Sequence, residues 1–331
     1  MKRMNVALAF DDKYLKYAYV TILSLFINNP DSEIYTYILQ YDLTDQSIDY
    51  LESLAEKYDN HIVLISIDPN RFDGLPTLDK WPIQVYFRLL LPEYLPSEVD
   101  RIIYLDSDMV INMPLNDLYN IDFEENDIIS CYDLNLTAVD LDVFLYNRNE
   151  ALAPLFKEKR YINSGMLLLN INQIRNNYSL ESYLVAAKEL NFKILAPDQD
   201  LINYVHSGKI KLVDPRKYNY PGYYAYLEGV TSDTADRIPI MHFVCEKPWQ
   251  GGNHAHFETE LIWWNYAFKT PFKDFLVETY IRESVTDPTI MRSLNGTDSV
   301  KNSLVAENAR LKKELNNAMD QVKKVIALLN K

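Results

Sequence analysis

The chain has 331 residues, 48% of them apolar, which allows a sizeable core and is too apolar for a disordered segment. Its 33 basic and 47 acidic residues leave a net charge of −14, which argues against nucleic acid or anionic lipid as the main partner. Two cysteines, Cys131 and Cys245, lack metal-ligand spacing and form no disulfide framework, as expected for a cytoplasmic protein. Lys2 and Arg3 precede an apolar run too short for a signal peptide, and no stretch reaches membrane-spanning length.

In chain order, residues 5–10 read as a buried strand, Asp11 and Asp12 as a turn, and 14–27 as a helix. That turn lacks the glycine-rich dinucleotide fingerprint, which disfavours a nicotinamide domain. Strands at 33–39 and 61–67 flank a helix at 44–58 begun by Thr44, a βαβαβ order that implies right-handed crossovers. A helix at 83–91 carries Arg88. Residues 101–113, RIIYLDSDMVINM, then form the centre of the chain. Ile102, Ile103, Tyr104 and Leu105 read as a strand buried on both faces of a mostly parallel sheet, ending in Asp106 and Asp108. In open α/β sheets ligands bind outside the carboxyl ends of strands, where paired carboxylates can share a divalent cation with phosphates. Taken alone, an Asp-x-Asp triplet is as readily an ordinary polar turn.

A strand is expected at 127–131, and Asn163-Ser164-Gly165 directly precedes an apolar strand. With only 8 glycines in the chain, Gly165 marks either a close backbone approach or a plain strand entry. Helices follow at 172–176 and 179–191, and another starts at Pro197, where Asp198 and Asp200 suit the helix dipole. A strand at 238–244 contains His242, where a lone histidine is usually a satisfied core residue. His254 and His256 read as ordinary loop histidines.

An ordered series of six motifs resembles the retaining glycosyltransferases of family 8, over about the first three quarters of the chain. They are AFDDKY (9–14), FRLLLPEYLP (87–96), YLDSDMV (104–110), NSGMLLLN (163–170), PDQDLIN (197–203) and HFVCEKPW (242–249). The resemblance implies an α/β fold of GT-A type, a Rossmann-like mixed sheet flanked by helices, with a UDP-sugar donor and Mn²⁺. It implies metal ligands at Asp106, Asp108 and His242, and Lys247 as a nearby cation offsetting charge on the departing UDP. Two carboxylates and an imidazole suit Mn²⁺ better than an all-oxygen magnesium cage. By the same resemblance Asp11 pairs with the uracil edge and Tyr14 stacks on it, and Ser107 joins the nucleotide-binding set. Arg88, Asn163 and Asp198 contact the donor sugar, and Gln199 faces the anomeric carbon, with Asp198 and Gln199 the catalytic pair. The family usually has a longer loop between its metal histidine and its lysine, and Lys13 stands where relatives often carry Asn. An amide at Gln199 is a poor nucleophile, which favours front-side displacement over a covalent glycosyl-enzyme.

From Leu304 a heptad repeat runs to Leu329, with Asn308, Leu315, Val322 and Leu329 at a positions and Leu304, Leu311, Ala318 and Val325 at d. Homo-oligomerisation is the expectation, against an amphipathic helix folded back on its own domain. Residues 257–275 are aromatic-rich and either cap the catalytic domain or line the acceptor side. The expected division is thus a catalytic domain at 1–255, a helical extension at 256–298 and a coiled-coil helix at 299–331. The expected reaction moves a hexose, glucose first, from a UDP-sugar to a glycan or glycoprotein acceptor. GlcNAc on a serine-rich glycoprotein is one acceptor that the resemblance offers. The alternatives are a lipopolysaccharide galactosyltransferase and a catalytically silent partner subunit.

Overall fold

The computed structural model describes residues 2–76, 82–135, 150–194, 196–244, 247–251 and 257–286. The heptads at 304–329, His254, His256, Cys245 and Glu246 lie outside the described residues. The chain divides into two compact units, one of residues 1–248 and 255–274, the other of 249–254 and 275–331. In the second unit the backbone N–H of Gly251 donates to Glu283 at 3.0 Å, within reach of the helix Lys273–Thr286. No helix is long and apolar enough to cross a membrane among the described residues.

The first unit is built on a mixed seven-stranded sheet, its order β3-β2-β1-β4-β7-β6-β8. Strands β1 (Lys2–Ala9), β2 (Ser32–Gln40), β3 (His61–Ser66) and β4 (Arg101–Leu105) are parallel neighbours. Strand β7 (Ile162–Asn170) runs antiparallel to both β4 and β6 (Ile128–Tyr132), and β8 (Ile210–Val213) closes the edge parallel to β6. Alternation of side chains along β4 sends Ile102 and Tyr104 into one buried layer, with Leu167, Leu169 and Leu201. Ile103 and Leu105 go into the other, with Val6, Leu8 and Ile22. Both faces are covered, which is why the run is apolar throughout; burying each such side chain contributes about 1.5–3 kcal/mol.

The central run is not one strand. The chain turns at Asp106, and β5 (Met109–Ile111) enters a second, three-stranded sheet with β10 (Ile240–His242) and β9 (Tyr220–Pro221). The helix Leu15–Asn28 takes the free edge of β5: the Thr21 hydroxyl donates to the Met109 carbonyl at 2.8 Å, and Ser24 Oγ accepts from the Ile111 N–H at 3.0 Å. In register, His242 pairs with Met109.

Two expected elements differ. Residues 83–90 form a 3₁₀ helix (Ile83–Leu90) rather than an α-helix, followed by one α-turn, Leu91–Tyr94. Pro92 has no N–H for the Arg88 carbonyl, so the Leu91 N–H takes it one residue early, and β-branched Ile83 and Val85 weaken the α alternative. The strand expected at 238–244 is only three residues long, and that expected at 127–131 is shifted to 128–132. Asp127 is instead buried as a partner of His206 Nδ1 at 2.9 Å.

Between β6 and β7 the register jumps: Ser130 faces Leu167, yet Cys131 faces Asn163. Residues 164–166 therefore arch out of the ladder as a bulge. The Ser130 hydroxyl lies against the arch, within hydrogen-bond distance of the Asn163 and Met166 carbonyls at 3.2 and 2.7 Å.

Candidate active site

A cleft of about 310 Å³ opens at the carboxyl ends of β1 and β4 and the bulged amino-terminal end of the antiparallel β7. It is lined by all eleven residues to which the family resemblance assigns a metal, donor or catalytic role: Asp11, Tyr14, Arg88, Asp106, Ser107, Asp108, Asn163, Asp198, Gln199, His242 and Lys247. The fold thus brings together eleven side chains spread over more than two hundred positions.

Asp106, Asp108 and His242 offer ligand atoms all within 4.8 Å of one another. His242 Nε2 lies 3.1 Å from Asp108 Oδ1 and 3.7 Å from Asp106 Oδ2. The backbone explains the convergence: the Asp106 N–H donates to the Gly165 carbonyl at 2.8 Å, and the Phe243 N–H to the Asp108 carbonyl at 3.0 Å. Each strand crossing is thereby pinned next to its ligand. Gly165 is required by close approach rather than by backbone angle. A Cβ there would stand 2.4 Å from His242 Cε1 and 2.9 Å from Asp106 Oδ2.

Burial by itself would raise the Asp108 carboxyl, but Lys247 and His242 outweigh it and hold it well below the usual carboxylate range. Lys247 Nζ is paired with Asp108 Oδ2 and donates to the Phe243 carbonyl at 2.8 Å. Asp108 Oδ1 is buried without an aligned hydrogen bond among the described residues. A buried carboxylate oxygen in that state, facing an imidazole nitrogen and a second carboxylate, is a donor set that suits a divalent ion such as Mn²⁺.

Arg88 is the other fixed charge. It is 5% exposed, and its guanidinium reaches Asp106 Oδ1 at 2.9 Å, Asp198 Oδ2 at 3.1 Å and the Ser164 carbonyl at 2.6 Å, with its plane over Tyr104 at 4.1 Å. Burial raises the Asp198 carboxyl above its ordinary value in spite of Arg88. Asp198 and Gln199 sit in the first turn of the helix Pro197–Val205. Gln199 is held at both ends of its amide: Oε1 accepts from the Ser164 N–H and Nε2 donates to Asp133 Oδ2, each at 3.0 Å. Asp200 faces away, binding Tyr161 and the Ala196 N–H.

At the other end of the cleft Asp11 Oδ1 caps the turn by accepting from the Tyr14 N–H at 2.9 Å, and the Ser107 hydroxyl lies 3.4 Å from the Ala9 carbonyl. Asp12 leaves the cleft for Ser47 and Thr44, bonds that lower its carboxyl.

Several site residues escaped the sequence reading. Asp133 follows an apolar strand as Asp106 does, a signal that was available. Ser164 contributes backbone atoms, which no motif advertises, and Asn219 touches His242 from the turn before β9. Gln84 lines the cleft with its Oε1 buried and unpartnered among the described residues.

Residues 5–252 match the family model described as Glycosyl transferase family 8. A lipopolysaccharide 1,2-glucosyltransferase of Escherichia coli is 30% identical over 65% of this chain and 62% of its own length. A lipopolysaccharide 1,3-galactosyltransferase of Salmonella typhimurium is 27% identical over 75% of this chain and 73% of its own. The chain thus spans under two thirds of the first of these relatives. Among solved structures, the galactosyltransferase LgtC with donor and acceptor sugar analogs superposes with a TM-score of 0.65 at 23% identity. The match covers 81% of this chain and 96% of that one, and the likeness is one of fold, of GT-A type.

Proposed function

Because the chain belongs to glycosyl transferase family 8, we propose that it moves a hexose, glucose first, from a UDP-sugar to a glycan acceptor with retention of configuration. The observation that carries this reading is the meeting of Asp106, Asp108 and His242 in one cleft with Arg88, Asp198 and Gln199. Asp106, Asp108 and His242 would hold Mn²⁺. Bound there, such an ion neutralises the donor diphosphate and the charge that develops on the departing UDP oxygen.

The chain's own groups do the rest. Lys247 brings a second positive charge to the diphosphate side of the cleft. Arg88 keeps the carboxylates of Asp106 and Asp198 apart and oriented, so that Asp198 presents an acceptor to donor-sugar hydroxyls beside Asn163. Asp11 and Tyr14 take the uracil, with Ser107 at its ribose side. Gln199, fixed by Ser164 and Asp133, sets the sugar face and is a poor nucleophile. This supports front-side displacement, in which the leaving UDP oxygen takes the proton of the acceptor hydroxyl.

The acceptor choice divides two readings. The names of the curated relatives favour a lipopolysaccharide or cell-envelope glycan; the acidic charge and the heptad tail favour a protein or soluble acceptor in the cytoplasm, for which the resemblance offers GlcNAc on a serine-rich glycoprotein. In this reading residues 1–255 are the catalytic domain, 256–298 an extension, and the heptads of 299–331 join copies of the chain. Donor hydrolysis across a UDP-sugar panel with and without Mn²⁺ tests the activity. The expected result is one preferred UDP-hexose and loss of turnover in EDTA; no hydrolysis of any UDP-sugar by the folded protein would leave the silent-subunit reading.

A further inference from the structure

We propose that Asn219 is a positioning residue that fixes which nitrogen of His242 faces the two carboxylates; the inference rests on the metal reading above and deepens it. Asn219 ends the short helix Pro215–Tyr218, where its N–H donates to the Pro215 carbonyl, and directly precedes β9. Because Pro221 of β9 lies in register with His242 of β10, the Asn219 side chain is delivered beside the imidazole. It is 4% exposed.

Its amide orientation follows from a chain of hydrogen bonds that starts on the backbone. The Gly165 N–H can only donate, and it donates to Asn163 Oδ1 at 3.0 Å. The second group on Asn163 Oδ1 is the Asn219 amide at 2.9 Å, so the atom there is its NH₂. The Asn219 carbonyl oxygen is thereby left to face His242 Nδ1, at 2.8 Å. An oxygen acceptor keeps the proton on Nδ1. The lone pair left to meet a cation is then that of Nε2, 3.1 Å from Asp108 and 3.7 Å from Asp106. The same Gly165 that leaves room for the imidazole thus also sets its hydrogen-bond sense.

The relay makes a prediction that separates Asn219's bond to His242 from its bond to Asn163. Asn219→Leu, of similar size, removes both. Asn219→Asp removes only the donor to Asn163 and keeps an oxygen for Nδ1–H. Mn²⁺ binding to the full chain is read by electron paramagnetic resonance without any nucleotide, and thermal unfolding in EDTA checks that each variant is folded. The native protein is expected to bind Mn²⁺, Asn219→Leu to bind it about 10- to 100-fold more weakly, and Asn219→Asp to bind it as tightly as native or tighter. Asn163→Ala, with no sugar present, should still lose several-fold, since it unties Asn219. A folded Asn219→Leu that binds Mn²⁺ like the native chain overturns the relay, as does Asn219→Asp falling as far as Asn219→Leu. A native chain that takes up no Mn²⁺ overturns the metal reading itself, and is recognised before any variant is compared.

Discussion

The two ends of the cleft are built differently. At the Asp106–His242 end, Arg88, Asp108 and His242 are 5, 8 and 3% exposed, and each is held by at least two partners from distant parts of the chain. At the Asp11 end the carboxylate caps its own turn, Gln84 keeps an unpartnered oxygen, and Tyr41 beside it is 42% exposed. Chemistry that must stabilise developing charge gains from groups that need not reorganise, and the first end has that character. The proposed function has a nucleotide enter and leave at the second end, which is the more loosely held.

The largest test of this contrast is Asp108→Asn, which removes one negative charge from the proposed metal site without changing shape. Turnover of the preferred UDP-sugar with Mn²⁺ should drop by about 1,000-fold, on the order of 4 kcal/mol. Retention of most activity would end the metal assignment. Gly165→Ala comes next: its methyl group collides with His242 and Asp106. A loss of about 100-fold in turnover is expected, a 1 Å misplacement near the chemistry being enough for that. Mn²⁺ uptake should weaken in parallel.

Arg88→Lys exchanges a rigid fork for a point charge and leaves either Asp106 or Asp198 without its buried partner. Urea denaturation should show about 2 kcal/mol less stability. At the open end Asp11→Ala should raise the KM for UDP-sugar about 10-fold with kcat nearly unchanged, the signature of lost uniform binding. If kcat fell instead, the two ends would be less separate than their packing implies.

What the sequence disclosed follows the same division between local and distant. The run Ile102–Leu105, the acids after it and the helix start at Pro197 were legible because each depends on neighbours in the chain; the residues alone read as a mostly parallel sheet, and the mixed sheet came from the family resemblance. The turn from β4 into a second sheet was not, since it depends on Thr21 and Ser24 taking the edge of β5 from a helix some ninety residues earlier. His242 by itself reads as an ordinary core residue, because its carboxylate partners lie more than a hundred positions away. Asn219 carried no signal at all: one amide in a turn means nothing before β9 is known to lie beside β10. The 3₁₀ geometry at 83–90 was foreshadowed by Pro92, whose missing N–H a helical periodicity does not register.

The bulge in β7 has a consequence for how this site can change over time. Its arch gives the Ser164 N–H to Gln199, the Ser164 carbonyl to Arg88 and the Gly165 carbonyl to the Asp106 N–H. All three are main-chain atoms, which survive any replacement of the Ser164 side chain. Substitution at position 164 therefore leaves these three contacts in place, whereas inserting or deleting a single residue between Asn163 and Met166 would re-aim all three groups at once. In this segment inheritance has to preserve chain length as well as the glycine at 165 and the amide at 163.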